Sequence, residues 1–161
     1  MAKRPNILLI TSDQHRPDCY GFLGTRKVRT PFIDRLAKRG THFSAAITPN
    51  VICQPSRASI LTGLLPLTHG VYDNHVSLDP SFGDVGWAQI LSEAGYQSGF
   101  IGKGHFGVHP GYTPHGAPES REQSADFPTD WNGPYLGFDH VRLMILGHWH
   151  KYLPCEEPPC G

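Results

Sequence analysis

The sequence has no long apolar run, no excess of either charge, and only 4 Cys and 2 Met, and each shortage excludes a class of protein. Near the start the longest unbroken hydrophobic stretch is Ile7 to Ile10, and near the end Leu143 to Leu146, far short of the ~18 to 20 residues that cross a bilayer. Two basic residues ahead of four apolar ones, with no small-residue cleavage site, do not read as a secretory signal. Lys+Arg (14) balance Asp+Glu (14), and no basic block exceeds two residues. A surface that tracks phosphates or anionic lipid lacks its electrostatic footprint, so neither nucleic acid nor membrane is expected as a partner. Cys19, Cys53, Cys155 and Cys160 are irregularly spaced and do not form a disulfide framework. The expectation is a soluble chain in a reducing, cytoplasmic compartment.

What is present suits one ordinary domain: 161 residues, 39% hydrophobic, are enough to bury a core. Gly (18) and Pro (15) together make about 20% of the chain, against a usual ~12%, so many loops are expected. Asn6 to Thr11 is an unalternating apolar run and predicts a strand buried on both faces, as in a parallel sheet. Thr30-Pro31, then Phe32, Ile33, Leu36 and Ala37 at helical spacing, then Gly40, predict a helix. His42 to Thr48 reads as a short extended segment, and Pro55 to Leu61 as a second helix stopped by Gly63. Trp87 to Ala94 predicts a third helix capped by Gly95, followed by a strand from Gln97 to Ile101. Strand, helix, strand, helix, helix, strand argues for α/β layers. Residues 108–137 lack periodicity and read as a long surface excursion. Val141 to Leu146 is one more candidate strand. No internal repeat is present, and residues 147–161 form an unassigned tail.

Three polar clusters follow or precede these segments: Asp13-Gln14, Cys53-Gln54-Pro55-Ser56-Arg57, and Lys103-Gly104-His105. In open α/β sheets, ligand sites gather at the carboxyl ends of strands, so the three are expected to converge. Asp13 and Gln14 offer hard oxygen donors that suit Ca²⁺ or Mg²⁺ rather than zinc; a turn and helix cap is the alternative use of the same residues. With Pro55 read as the first helical residue, Cys53 lies just outside a helix N-terminus, where unpaired N–H groups favour negative charge, and Arg57 lies in the first turn. An inert, packed thiol is the alternative for Cys53. His69 reads as a structural hydrogen-bonding residue, while His15 and Arg16 either face substrate or are solvated loop residues. His148, His150, Cys155 and Cys160 are spaced unlike any standard zinc module.

The run C-Q-P-S-R-A-S-I-L-T-G from Cys53 resembles the first signature of the sulfatase family, in which the cysteine of C-x-P-x-R is oxidised after synthesis to formylglycine. Gly95-Tyr96-Gln97-Ser98-Gly99-Phe100-Ile101-Gly102-Lys103, followed by His105, resembles the second. With N-I-L-L-I-T-S-D-Q, T-P-F-I-D-R-L-A-K-R-G and T-H-G-V-Y-D-N, the likeness covers roughly residues 4 to 107. The resemblance implies an α/β, alkaline-phosphatase-like fold with a mainly parallel sheet sandwiched by helices. Residues 1–161 would be the N-terminal portion of a sulfatase catalytic domain, holding about half of the site.

The resemblance also implies hydrolysis of sulfate monoesters, with a small-molecule or glycan sulfate ester as substrate and a formylglycine-generating enzyme as partner. Formylglycine at Cys53 would be hydrated to a diol, one hydroxyl attacking sulfur and the other expelling sulfate. Asp13, Gln14 and Cys53 would hold Ca²⁺, or alternatively Mg²⁺ or Mn²⁺. Arg57 and Lys103 would neutralise the ester, His105 would act on the diol, and Asn74 would donate to a substrate oxygen. Three positions depart from the usual pattern: Gln54 stands where a small residue is frequent, Gln14 where a second aspartate is common, and Gly104 where an aromatic is common. Asp13-Gln14 also occurs in phosphonate monoester hydrolases and in some sulfatases, so a phosphonate monoester or phosphodiester hydrolase is the alternative reading, and an inactive fragment lacking further ligands is another.

Overall fold

The computed structural model describes residues 4–145 and 152–153, and its contacts divide the chain into two units, Met1–Ala46 and Ile47–Gly161. His148, His150, Cys155 and Cys160 lie outside the described residues.

In the first unit one helix, α1, spans Pro31–Arg39, with Pro at its start, Asp34 in its first turn and Lys38 and Arg39 in its last. Each of these suits the end of the helix dipole on which it lies. Thr30 serves less as a cap than as a clamp. Its Oγ1 accepts from the Gly21 amide (2.8 Å) and donates to Asp34 Oδ1 (2.6 Å), which also accepts from the Phe22 amide (3.0 Å). No residue of α1 is buried, and Phe32 is 75% exposed. The stretch 6–11 is not a strand, and Leu8 is 82% exposed. This corrects the expectation of a doubly buried strand: an all-apolar run is stable in a sheet only between partners on both edges, and the described residues pair none with it. The extended segment expected at 42–48 likewise forms no ladder.

The second unit holds the sheet and the core. Helix α2 spans Cys53–Thr62 and ends at Gly63, whose φ of 72° closes the helix with an amide bond to Ser59 O. Helix α3 (Pro66–His69) and helix α4 (Trp87–Glu93) follow. Gly95, at φ 84°, ends α4 as expected, its amide bonding Ser92 O while the Tyr96 amide bonds Leu91 O, the two bonds of a left-handed helix stop.

Strand β1 (Gly99–Lys103) pairs in parallel with β2 (His140–Met144), Gly99 opposite His140 and Lys103 opposite Met144. A two-residue strand, β3 (Tyr152–Leu153), adds antiparallel to β2. The parallel register is fixed where it begins. Asp139 Oδ2 accepts from the Ser98 amide (2.8 Å) and hydroxyl (2.9 Å), and Ser98 Oγ accepts the Asp139 amide (3.0 Å). These donors hold the Asp139 carboxyl below its ordinary range.

The stretch 108–137 is a loop but not a surface one, which corrects the expectation. Tyr112, Ala117, Phe127, Trp131, Tyr135 and Leu136 are buried beside Ala58 and Leu61 of α2, Ala88 of α4, and Val141 and Leu143 of β2. Its aromatic rings interlock: Tyr112 meets Tyr135 edge-on at 5.6 Å, and Phe127 meets Trp131 at 4.8 Å. Irregular backbone can be buried when its polar groups are paired inside the loop, as Thr113 Oγ1 to Gly116 O (2.8 Å) and the Ala117 amide to Gln123 Oε1 (2.7 Å) are.

Candidate active site

Helix α2 begins two residues earlier than the sequence suggests. Cys53 is its first residue, half-buried, and Pro55 is the third, still within the turn whose N–H groups need no helical partner. Arg57, one helical turn on from Cys53, shares its face of the helix. The Arg57 Nη1 donates to the backbone oxygen of Lys103 (2.7 Å), tying the first turn of α2 to the end of β1. Asn74 reaches the same turn from the loop after α3: its Oδ1 accepts from the Gln54 amide (3.0 Å). Two of the three expected clusters, and Asn74, therefore meet within the second unit.

Beyond β1 the chain turns through Gly104 and His105, and His105 has a left-handed φ of 56°. Around such a residue successive N–H groups converge into a concavity that suits an anion. Here the Glu119 carboxyl fills it. Its Oε2 accepts the His105 amide in a very short contact, its Oε1 accepts the Phe106 amide (3.0 Å), and the Tyr135 hydroxyl donates to Oε1 (2.5 Å). Burial pushes the Glu119 carboxyl up, against the pull of these three donors and the Arg57 charge. Burial, with the charge of Glu119, also raises Tyr135 well above the usual phenol range, which keeps it a donor.

The same turn is held from its other side. Phe106 O accepts from Gln54 Nε2 (3.1 Å), the Leu78 amide (2.9 Å) and the Tyr112 hydroxyl (2.9 Å). Gln54, fully buried next to Cys53, also donates to Val76 O (2.7 Å). The residue that departs from the usual small side chain is thus a strut between helix α2, which begins at Cys53, and the turn bearing His105. Gly104 departs for a complementary reason: a Cβ there would lie 2.9 Å from Glu119 Oε1, inside contact distance.

Sequence reasoning missed Glu119, Tyr135 and Tyr112, and cast Gln54 only as a departure. The available signal was the cluster of aromatics in a stretch that has no periodicity. His69 is structural, as expected: buried, it accepts the Val71 amide at Nδ1 (3.1 Å), so Nε2 carries the proton and donates to Ser59 Oγ (2.9 Å).

Asp13 and Gln14 belong to the first unit, both exposed, at a bend where Gln14 takes a φ of 54°. His15 stacks on Tyr20 (4.4 Å) and bonds Cys19 O (2.9 Å). Arg16 and Arg26 both bind Asp18 (2.8 and 2.6 Å), holding its carboxyl well below the usual range. Both are thus engaged in local contacts. Among the described residues no three His, Cys, Asp or Glu side chains gather into a metal-binding group. The adjacent carboxylate and amide oxygens of Asp13 and Gln14 still fit a hard divalent cation as part of a larger oxygen set.

Residues 5–141 match the profile of the Sulfatase family. The chain is 34% identical over 160 residues to an ulvan-active sulfatase of Formosa agariphila, covering 94% of this chain and 30% of that protein. It is 33% identical over 165 residues to arylsulfatase A of Bos taurus, covering 99% and 28%. A solved structure described as bound to its substrate D-glucosamine-2-N,6-O-disulfate superposes with a TM-score of 0.68 at 30% identity, over 91% of this chain and 24% of that one. The expected alkaline-phosphatase-like α/β fold accords with this likeness. The chain spans 28% to 30% of the length of these two curated relatives.

Proposed function

The chain belongs to the sulfatase family, and from that premise we propose that the protein it represents hydrolyses sulfate monoesters of small-molecule or glycan type. The observation that carries the reading is the 2.7 Å bond from Arg57 to Lys103 O, which joins the helix of the nucleophile to the strand of the second signature.

Formylglycine, made from Cys53 by a generating enzyme, supplies an aldehyde whose hydrate offers one hydroxyl to attack and a second to release the product. Asp13 and Gln14 would contribute oxygen donors to a divalent cation, Ca²⁺ or alternatively Mg²⁺ or Mn²⁺, and that ion would add fixed positive charge. Arg57 and Lys103 bind the ester oxygens. Because Arg57 is already fixed to the Lys103 backbone, its charge is in place before the reaction and needs little reorganisation. Asn74 presents its amide nitrogen to a substrate oxygen, its Oδ1 being committed to the helix start. His105 takes the proton from a hydroxyl of residue 53 when product leaves.

A second reading, a phosphonate monoester or phosphodiester hydrolase on the same frame, draws on the Asp13-Gln14 pair. Parallel assays of the full-length protein on an aryl sulfate and an aryl phosphonate monoester test both. Higher kcat/KM on the sulfate supports the first reading; preference for the phosphonate replaces it with the second.

A further inference from the structure

We propose that Glu119 is a positioning residue for the reaction, an internal hydrogen-bond acceptor that holds the turn 104–106 and so places the His105 side chain against residue 53. The inference rests on the sulfatase reading, because it gives His105 its task.

Four observations carry it. The Glu119 carboxylate accepts two consecutive amides, of His105 and Phe106, across a turn whose central residue is in the left-handed region. A non-glycine residue is strained in that region and persists there only when its surroundings impose it. The carboxylate is itself fixed by Tyr135, which is 1% exposed and donates to Oε1. Gly104 leaves the room that the carboxylate occupies. Finally, Phe106 O is bound by Gln54, the neighbour of Cys53, so a displaced turn would also disturb the start of α2.

Among the described residues the hydrogen bonds of Glu119 go to His105, Phe106 and Tyr135, not to Cys53, so it acts through His105. A glutamine in its place keeps the size but sets an NH₂ against a backbone N–H, so one of the two amides loses its acceptor.

The test is a double-mutant cycle in the full-length, formylglycine-containing protein, with an aryl sulfate as substrate and thermal unfolding measured alongside. Glu119→Gln is expected to lower kcat about 100-fold, the scale of a misplacement near 1 Å, with KM changed less than about twofold. In a His105→Ala background the same substitution is expected to lower kcat by less than about twofold while still lowering Tm, because the group it positions is gone. A purely structural role would reduce kcat by the same factor in both backgrounds. That outcome, or a Glu119→Gln enzyme with unchanged kcat, overturns the proposal.

If Glu119→Gln does not fold, Tyr135→Phe keeps the ring and removes only the donor. It is expected to lower kcat by about tenfold with His105 present and by less than about twofold without it. Equal loss in both backgrounds, or none in either, overturns the proposal. A parent that hydrolyses neither an aryl sulfate nor a sulfated glycan overturns the sulfatase reading and this inference with it; an active parent with an indifferent Glu119 overturns this inference alone.

Discussion

The two units use apolar sequence in opposite ways. In the first, α1 has a clean helical pattern and residues 7–10 form an unbroken apolar run, yet no hydrophobic residue of 4–46 is buried. In the second, the stretch 108–137 has no pattern and contributes six of the sixteen buried hydrophobic residues among those described. Periodicity therefore reports which local conformation a segment can take, while burial depends on what it finds to pack against. The residues proposed for function divide the same way. Cys53, Arg57, Asn74, Lys103 and His105 sit on the packed unit, and Asp13 and Gln14 on an exposed bend.

The sharpest challenge to that contrast is chemical. In the full-length protein Cys53→Ala is expected to abolish turnover of an aryl sulfate, and Cys53→Ser at most to trap a sulfated enzyme visible by intact mass. Because Cys53 is only half-buried, the unfolding midpoint of the packed unit should hardly move. A Cys53→Ala enzyme with ordinary turnover would detach the chemistry from α2.

Next in size are changes to packing. Trp131→Ala, in the irregular stretch, is expected to cost about 3–5 kcal/mol, as for other buried aromatics, whereas Phe32→Ala on α1 should cost no more than about 0.5 kcal/mol. Urea unfolding of the two variants checks the pair, and equal losses would erase the contrast between the units.

A smaller effect is expected at Gln54→Ala. It removes a donor from Val76 O and from Phe106 O, of which the second keeps Leu78 and Tyr112, so the loss should be about 1–3 kcal/mol. The same unfolding assay reads it.

The smallest is a pH effect. Burial lowers the His69 pKa below its ordinary 6.5, so in the acidic range the unfolded chain binds the proton that the folded one refuses. The contribution of His69 is then intact above the unfolded pKa and is lost as pH falls below it. The slope of stability between about pH 7 and pH 5 should flatten in His69→Gln. An unchanged slope would mean that His69 titrates normally.

The residues proposed for catalysis stood out in the sequence because the chemistry assigned to them demands particular residue types at fixed spacing. Cys53 and Arg57 are one helical turn apart, and Lys103 and His105 lie just beyond a glycine-broken strand, so each pair is a local pattern. Helix stops at Gly63 and Gly95 were legible for the same reason, since a left-handed stop needs a particular residue. Glu119 was not legible, because its partners His105 and Tyr135 are 14 and 16 positions away and no local rule distinguishes a buried carboxylate from a solvated one. The run Ile7 to Ile10 misled in the opposite direction: its apolar character calls for burial, and the described chain gives it no strand partner.

The measurement that tests the central claim most directly is peptide mass spectrometry across Cys53 in protein made alongside a formylglycine-generating enzyme and shown to cleave an aryl sulfate. Oxygen replacing sulfur and two hydrogens lowers the peptide mass by about 18 Da, and that loss is the predicted result. An unmodified thiol at Cys53 in active protein would contradict the account.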